Sequence, residues 1–358
     1  MTRTAEQSMD DTRLTLPTSE TPNPMAPLLA MPATRAAAII ASVQLDKVRE
    51  GHLRLTKHPD GEALHDFRVG LRQLRSTLDA YPEAFPSLPK KLRKRMRRLA
   101  RDTSEARDSE VQLDWLRRQE RQVRGEGALG FRWLLRQIEL RTAEAYRELR
   151  NDVLEDFGYI DQRLCEVLAH NEALDTAVAG ASPGASLGHL CADHLTELVD
   201  ELAFHLHHIE TREDEDQVHA ARIYGKRIRY LLAPLRAESK GCESVVRRLQ
   251  RLQNLLGEYH DAQVFGDVLR RRIRKASTGQ AERWLELMLN TAPDARALAR
   301  ERKQDMVTGV LLVARLVAKR KEKLFQQLGR MQAQGEIEQL LHDIAMLATD
   351  LAAQSDAR

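Results

Sequence analysis

Aromatic residues, cysteines and long apolar runs are all scarce in this chain of 358 residues. Aromatic residues make up only 4% of the sequence, whereas charged residues make up 30%. The three cysteines, Cys165, Cys191 and Cys242, show neither metal-site spacing nor an even-numbered disulfide framework, so a reducing, cytoplasmic compartment is expected. No apolar run reaches the roughly 18–20 residues of a membrane span, which argues against a membrane protein.

The sequence also lacks the apolar–polar alternation of β-strands. From about residue 32 onward, apolar residues recur with the period of a helix, and the sequence therefore predicts an all-α protein. Residues 1–30 are polar and contain four prolines, which is typical of a disordered tail. The predicted organisation is this tail (1–30), a first helical unit (31–172), a small-residue linker (173–188), a second helical unit (189–328) and a C-terminal helix (329–358).

The charges are clustered, although the net charge is only +3. Residues 90–101 contain eight basic residues and no acidic one, whereas residues 210–216 contain five acidic residues and one arginine. A local field can recruit a charged partner even when the net charge is small. The basic clusters therefore predict a polyanionic partner.

A histidine-led basic motif occurs twice. The stretch "LHDFRVGLRQLRSTL" (64–78) aligns with "VHAARIYGKRIRYLL" (218–232) at a constant offset of 154. The matched residues are His65 with His219, Arg68 with Arg222, Arg72 with Lys226, and Arg75 with Arg229. A long-period repeat on either side of a linker indicates two copies of one helical unit.

Each motif copy predicts a helix with one apolar and one cationic side. At 100° per residue, the histidine and the basic residues fall within about 80° of arc, opposite apolar residues such as Phe67 and Leu71. Like charges at these spacings repel one another, so a ligand is expected to supply the counter-charge. Arginine predominates, and its guanidinium fork suits phosphate oxygens. A merely solvated basic face is the alternative interpretation.

The helix after each motif repeats this design. Lys94, Arg97, Arg98 and Arg101 precede "EARDSEV" (105–111), and Arg247, Arg248 and Arg251 precede "EYHDAQV" (258–264), with Asp108 matching Asp261 at an offset of 153.

These two motif copies resemble the CHAD family, the conserved histidine α-helical domain. The resemblance covers roughly residues 30–328, and its two-copy pattern is more specific than either copy alone. It implies two pseudo-symmetric, mainly four-helix bundles packed around a basic central groove or pore. One departure from the pattern is that His260 matches Arg107, so the two halves are not expected to bind equally.

The resemblance implies non-enzymatic binding of inorganic polyphosphate, association with polyphosphate granules in the cytoplasm, and contact with polyphosphate-metabolising proteins. No cofactor, catalytic residue or metal ligand is predicted. The polyphosphate-binding residues that it implies, together with the basic residues of the following helices, are His65, Arg68, Arg72, Arg75, Lys94, Arg97, Arg98, Arg101, His219, Arg222, Lys226, Arg229, Arg247, Arg248 and Arg251.

Three other functions remain open from the residues alone. Nucleic acid is also a polyanion, but single-strand binders usually add aromatic stacking platforms, and the motif stretches contain only Phe67 and Tyr230. A metal-dependent phosphohydrolase would use His–Asp pairs such as His65–Asp66 and His260–Asp261, yet Asp66 points about 100° away from His65 on a helix. A scaffold that binds only proteins is the third alternative.

Overall fold

The structure is a computed structural model that describes residues 28–149, 154–177, 185–289 and 306–356, together with residue 296. These residues contain no β-strand, which confirms the predicted all-α class; one isolated bridge joins Pro32 and Ser186. The longer helices are α1 (Ala33–Lys57), α2 (Gly61–Ala80), α3 (Lys90–Gln119), α4 (Ala128–Glu148), α5 (Leu154–Ala177), α6 (Leu187–His207), α7 (Glu215–Leu232), α8 (Lys240–Leu289), α9 (Met306–Ala333) and α10 (Glu336–Asp356). Within the described ranges, no helix is long and apolar enough to cross a membrane.

The last residues of the predicted tail and both ends of the predicted linker are helical in the structure. Leu28–Ala30 forms a short 3-10 helix, and Leu29 is buried because it packs into the core. Residues 1–27 lie outside the described residues. At the linker, α5 continues to Ala177 and α6 begins at Leu187, where Ser186 caps the helix by accepting a hydrogen bond from the His189 amide. The intervening residues 178–184 again lie outside the described part.

The packing partners of the first five helices recur among the last five. α1 packs on α2, α2 on α3 and α3 on α4, and likewise α6 packs on α7, α7 on α8 and α8 on α9. α5 contacts α1 and α3, just as α10 contacts α6 and α8. The pseudo-twofold axis that the resemblance implies stays a prediction.

The last helix, which the sequence predicts as a separate C-terminal segment, is part of the main core. Its buried residues Ile337, Leu340, Ile344, Leu347 and Leu351 recur every three or four positions, so one whole face of α10 is apolar. That face packs against α6 and α8 and removes their apolar surfaces from water.

Neither hydrophobic core belongs to one half of the chain. The larger core combines α1, α2 and α5 with α6, α7 and α10, and it includes the N-terminal parts of α3 and α8. The smaller core joins the C-terminal parts of α3 and α8 to α4 and α9, with Leu116, Phe131, Phe265 and Val313 among its members. Because the halves share both cores, α2 and α7 are held in contact with each other.

Candidate anion-binding site

The two motif helices and the helices after them enclose a cationic cavity of about 380 Å³. α2 and α7 contribute one side, and α3 and α8 contribute the other. The predicted site residues that line the cavity are Arg68, Arg72, Arg75, Arg97, Arg101, Arg222 and Lys226. Both copies of the motif therefore face one shared space.

The remaining predicted residues, which do not line this cavity, are His65, Lys94, Arg98, His219, Arg229, Arg247, Arg248 and Arg251. Arg248 forms an ion pair with Asp343 and donates to the Glu336 carbonyl, so it ties α8 to α10. Arg229 donates to Gln250 and lies 4.9 Å from the centre of the Tyr230 ring. These two arginines serve helix packing.

Two other predicted residues lie beside acidic residues of their own helix. Arg98 lies 3.4 Å from Asp102, and Arg247 lies 3.8 Å from Glu243, both at the i,i+4 spacing. Both arginines are largely exposed, with 66% and 71% of the side-chain surface accessible. Pairs of this kind contribute little to stability, and they mark a solvated surface.

The leading histidines of the two motifs, His65 and His219, are both largely exposed. Partial desolvation of its ring, followed by the positive charge of Arg107, lowers the pKa of His65. The His219 ring lies 5.2 Å from the ring of His260, and His260 does line the cavity.

The matched arginines Arg68 and Arg222 differ in how they are held. Arg68 donates to the Ala100 carbonyl at 3.1 Å and to the Thr103 hydroxyl at 2.7 Å, so it braces α2 against α3. At the offset of 153, Leu256 stands where Thr103 would match, and it offers no acceptor. The buried Nε of Arg222 has no hydrogen-bond partner among the described residues.

This difference predicts unequal effects on folding. Arg68→Gln should lower the free energy of unfolding by about 1–2 kcal/mol, because it removes two hydrogen bonds from a charged donor. Arg222→Gln should change that free energy less, because the buried Nε of Arg222 has no hydrogen-bond partner among the described residues and its attraction to Asp261 offsets only part of its desolvation. Urea unfolding of the two variants measures both effects. Equal destabilisation by the two substitutions would contradict the assignment.

Burial and mutual repulsion lower the pKa values of several basic residues that line the cavity. Burial, followed by the proximity of Arg72, lowers the pKa of Arg68 to about 10. Burial, with Arg222, Arg72 and Arg229 nearby, lowers the pKa of Lys226 to about 6. The pKa values of Arg75 and Arg222 are also lowered, again chiefly by burial. A site in this state is stabilised by any anion that supplies counter-charge.

Sequence reasoning did not assign the acidic and neutral polar members of the wall to the site. Asp108 and Asp261 line the cavity, and burial raises the pKa of both carboxyl groups. Arg68 opposes the increase at Asp108, and Arg222 opposes it at both. His260 lies beside Asp261, and burial with Arg222 nearby lowers its pKa to about 4. The offset of 153 had already matched the two aspartates, so the repeat itself was the signal that could have found them.

The fold and the site together define an all-helical protein whose repeated basic helices face one cationic cavity. The family model of the CHAD domain matches residues 39–270, so the chain belongs to the CHAD family. The crystal structure of the CHAD domain from the plant Ricinus communis is similar, with a TM-score of 0.58 and 21% identity over 89% of this chain and 97% of that one. That likeness shows the fold. A search of the curated proteins found no match.

Proposed function

We propose that this protein binds inorganic polyphosphate in the cationic cavity and does not turn it over. The observation that carries the proposal is the convergence of Arg68, Arg72 and Arg75 with Arg222 and Lys226 on one cavity. Among the described residues, six arginines and Lys226 share that wall with two carboxylates, those of Asp108 and Asp261. Membership of the CHAD family supports the same ligand.

Polyphosphate suits such a wall physically. A linear polymer with one negative charge per phosphate can follow a row of guanidinium groups, each of which can donate two parallel hydrogen bonds to phosphate oxygens. Binding also releases counterions that were condensed on the polymer, as it does for other polyanions. The ligand charge compensates the repulsion that lowers the pKa of Lys226.

The composition of the wall favours polyphosphate over a nucleic acid. Within the part of the chain that the structure describes, the residues that line the cavity include no Phe, Tyr or Trp. Single-strand binders obtain about 1–3 kcal/mol per base from aromatic stacking, and this wall offers no such platform. Binding through the cavity would place the protein at polyphosphate granules and beside polyphosphate-metabolising proteins in the cytoplasm.

Competition tests the choice of ligand. A fluorescent single-stranded oligonucleotide bound to the protein should be displaced by long-chain polyphosphate at equal phosphate concentration, because only polyphosphate matches the bare cationic wall. Fluorescence anisotropy measures the displacement. If the oligonucleotide stays bound at equal phosphate concentration of polyphosphate, the preferred ligand of this protein is a nucleic acid.

The second part of the proposal concerns turnover. Incubation of the protein with polyphosphate and Mg²⁺ or Mn²⁺ should release no orthophosphate above the protein-free control. Protein-dependent release that disappears in an Asp108→Asn or Asp261→Asn variant would instead assign hydrolysis to this cavity.

A further inference from the structure

A second cavity adjoins the first, and three basic residues line both cavities. Its volume is about 610 Å³, and it opens between α2, α6 and α7. Arg72, Arg75 and Lys226 line both cavities, so each of these side chains presents a surface to either space. The size falls within the roughly 300–1,000 Å³ of pockets that hold small organic ligands.

The wall of the second cavity differs from that of the first. Leu198 and Ile223 are only partly buried, and they expose aliphatic surface next to the cations. Glu197 also lines it, and among the described residues no ion pair or hydrogen bond engages this carboxylate. The other acid, Asp79, is already paired with Arg93 at a distance of 2.8 Å.

These features disfavour an inorganic chain as the natural occupant. Leu198 and Ile223 donate no hydrogen bonds, so phosphate oxygens placed against them would lose hydration without compensation. The Glu197 carboxylate repels phosphate directly. A ligand that matches all of these residues therefore has phosphate groups at one end, for the basic side chains, and an apolar organic group at the other, for Leu198 and Ile223.

We propose that the second cavity binds a nucleoside oligophosphate, with its phosphates on Arg72, Arg75 and Lys226 and its base against Leu198 and Ile223. The aliphatic wall favours a flat base over a sugar or inositol ring, because sugars and inositol expose hydroxyl groups on all sides. Glu197 accepts hydrogen bonds from the ribose hydroxyls or from an exocyclic amino group. The cavity is too small for the acyl chains of a phospholipid.

Arg227 adds a fourth cation at the mouth of this cavity. Its guanidinium lies 5.3 Å from the centre of the Tyr224 ring, and the side chain is exposed. A second or third phosphate of the ligand can therefore interact with Arg227 while that side chain remains exposed to solvent. This site is independent of polyphosphate binding as such, but the two ligands share three cations and should therefore compete.

The test compares ATP with inorganic tripolyphosphate on the full-length protein by isothermal titration calorimetry, without divalent cations. Both ligands carry three phosphates, so a purely electrostatic site would bind tripolyphosphate at least as tightly as ATP. Burial of about 60 Å² of base surface should instead make the ATP dissociation constant roughly tenfold lower. Equal or tighter binding of tripolyphosphate overturns the proposal, as does failure of ATP to bind.

Three variants locate the organic body. Leu198→Asn should remove aliphatic surface from the wall and reduce ATP affinity toward that of tripolyphosphate, while leaving tripolyphosphate affinity within twofold. Thr196→Asn is the matched control on the exposed side of α6, and it should leave both affinities unchanged. Glu197→Ala should weaken ATP a few-fold and strengthen tripolyphosphate, since it removes an acceptor for one ligand and a repulsion for the other. An ATP preference that survives both Leu198→Asn and Glu197→Ala contradicts the assigned position.

Long-chain polyphosphate titrated into the same wild-type sample keeps the two proposals separate. Binding of polyphosphate without an ATP preference removes only the second cavity from the account. An ATP preference without polyphosphate binding removes only the proposed function.

Discussion

Arg72→Glu is expected to weaken polyphosphate binding by about a thousandfold. Arg72 lines the cavity from α2 and lies close enough to Arg68 and Lys226 to lower their pKa values. A glutamate there would remove one contact and place a negative charge against phosphate, and like charges juxtaposed in an interface cost several kcal/mol. Equilibrium titration with long-chain polyphosphate at fixed salt measures the loss.

Arg98→Glu is the matched control for this reversal. It makes the same change in net charge, but Arg98 is exposed, pairs with Asp102 and does not line the cavity. Its effect should stay within about threefold, because an exposed charge outside the site acts only through a screened field. If the two reversals weaken binding equally, net charge rather than the cavity determines affinity.

Polyphosphate affinity should also fall by about a hundredfold between pH 7 and pH 9. The pKa of Lys226 in the unliganded protein is about 6, so the side chain is mostly neutral at pH 7. Bound phosphates should return this pKa toward the ordinary value of about 10.4, so binding takes up one proton in this window. Each pH unit within it then lowers the association constant about tenfold.

The Lys226→Met variant tests whether Lys226 is the group that takes up the proton on binding. The variant cannot bind it, so its affinity should vary little over the same pH range, and the advantage of the wild type should shrink toward pH 9 without vanishing, because the pKa of Lys226 in the complex lies near 10.4. His260 also lines the cavity, but its pKa of about 4 keeps it neutral in the unliganded protein throughout the window. Calorimetry in buffers of different ionisation enthalpy counts the proton directly. An unchanged pH profile in Lys226→Met would assign the effect to another group.

The sequence predicted which helices line the cationic cavity. The period of the apolar residues places Phe67 and Leu71 on the buried side of α2, so Arg68, Arg72 and Arg75 had to lie elsewhere. The in-register repeat then predicted a matching face on α7, and the structure brings Arg222 and Lys226 to the same cavity.

Helical periodicity could not distinguish cations that face the cavity from cations that face a neighbouring helix. Arg248 is on the polar side of α8, but its partner Asp343 lies 95 residues further along the chain, on a helix that the resemblance did not cover. The anchoring of Arg68 by Thr103 likewise depends on how α2 meets α3. Such pairings follow from long-range packing of the shared cores, which no local pattern encodes.

The dependence of affinity on salt tests the central claim most directly. Long-chain polyphosphate should be titrated into the wild-type protein over a series of salt concentrations at pH 7. If the cavity cations engage phosphate, the logarithm of the association constant should fall linearly with the logarithm of salt concentration. A single-strand slope of roughly −0.7 per contact gives about −5 if each of the six cavity arginines, and Lys226 once it is protonated in the complex, contacts one phosphate. An affinity that does not change with salt, or no binding at low salt, would contradict the account.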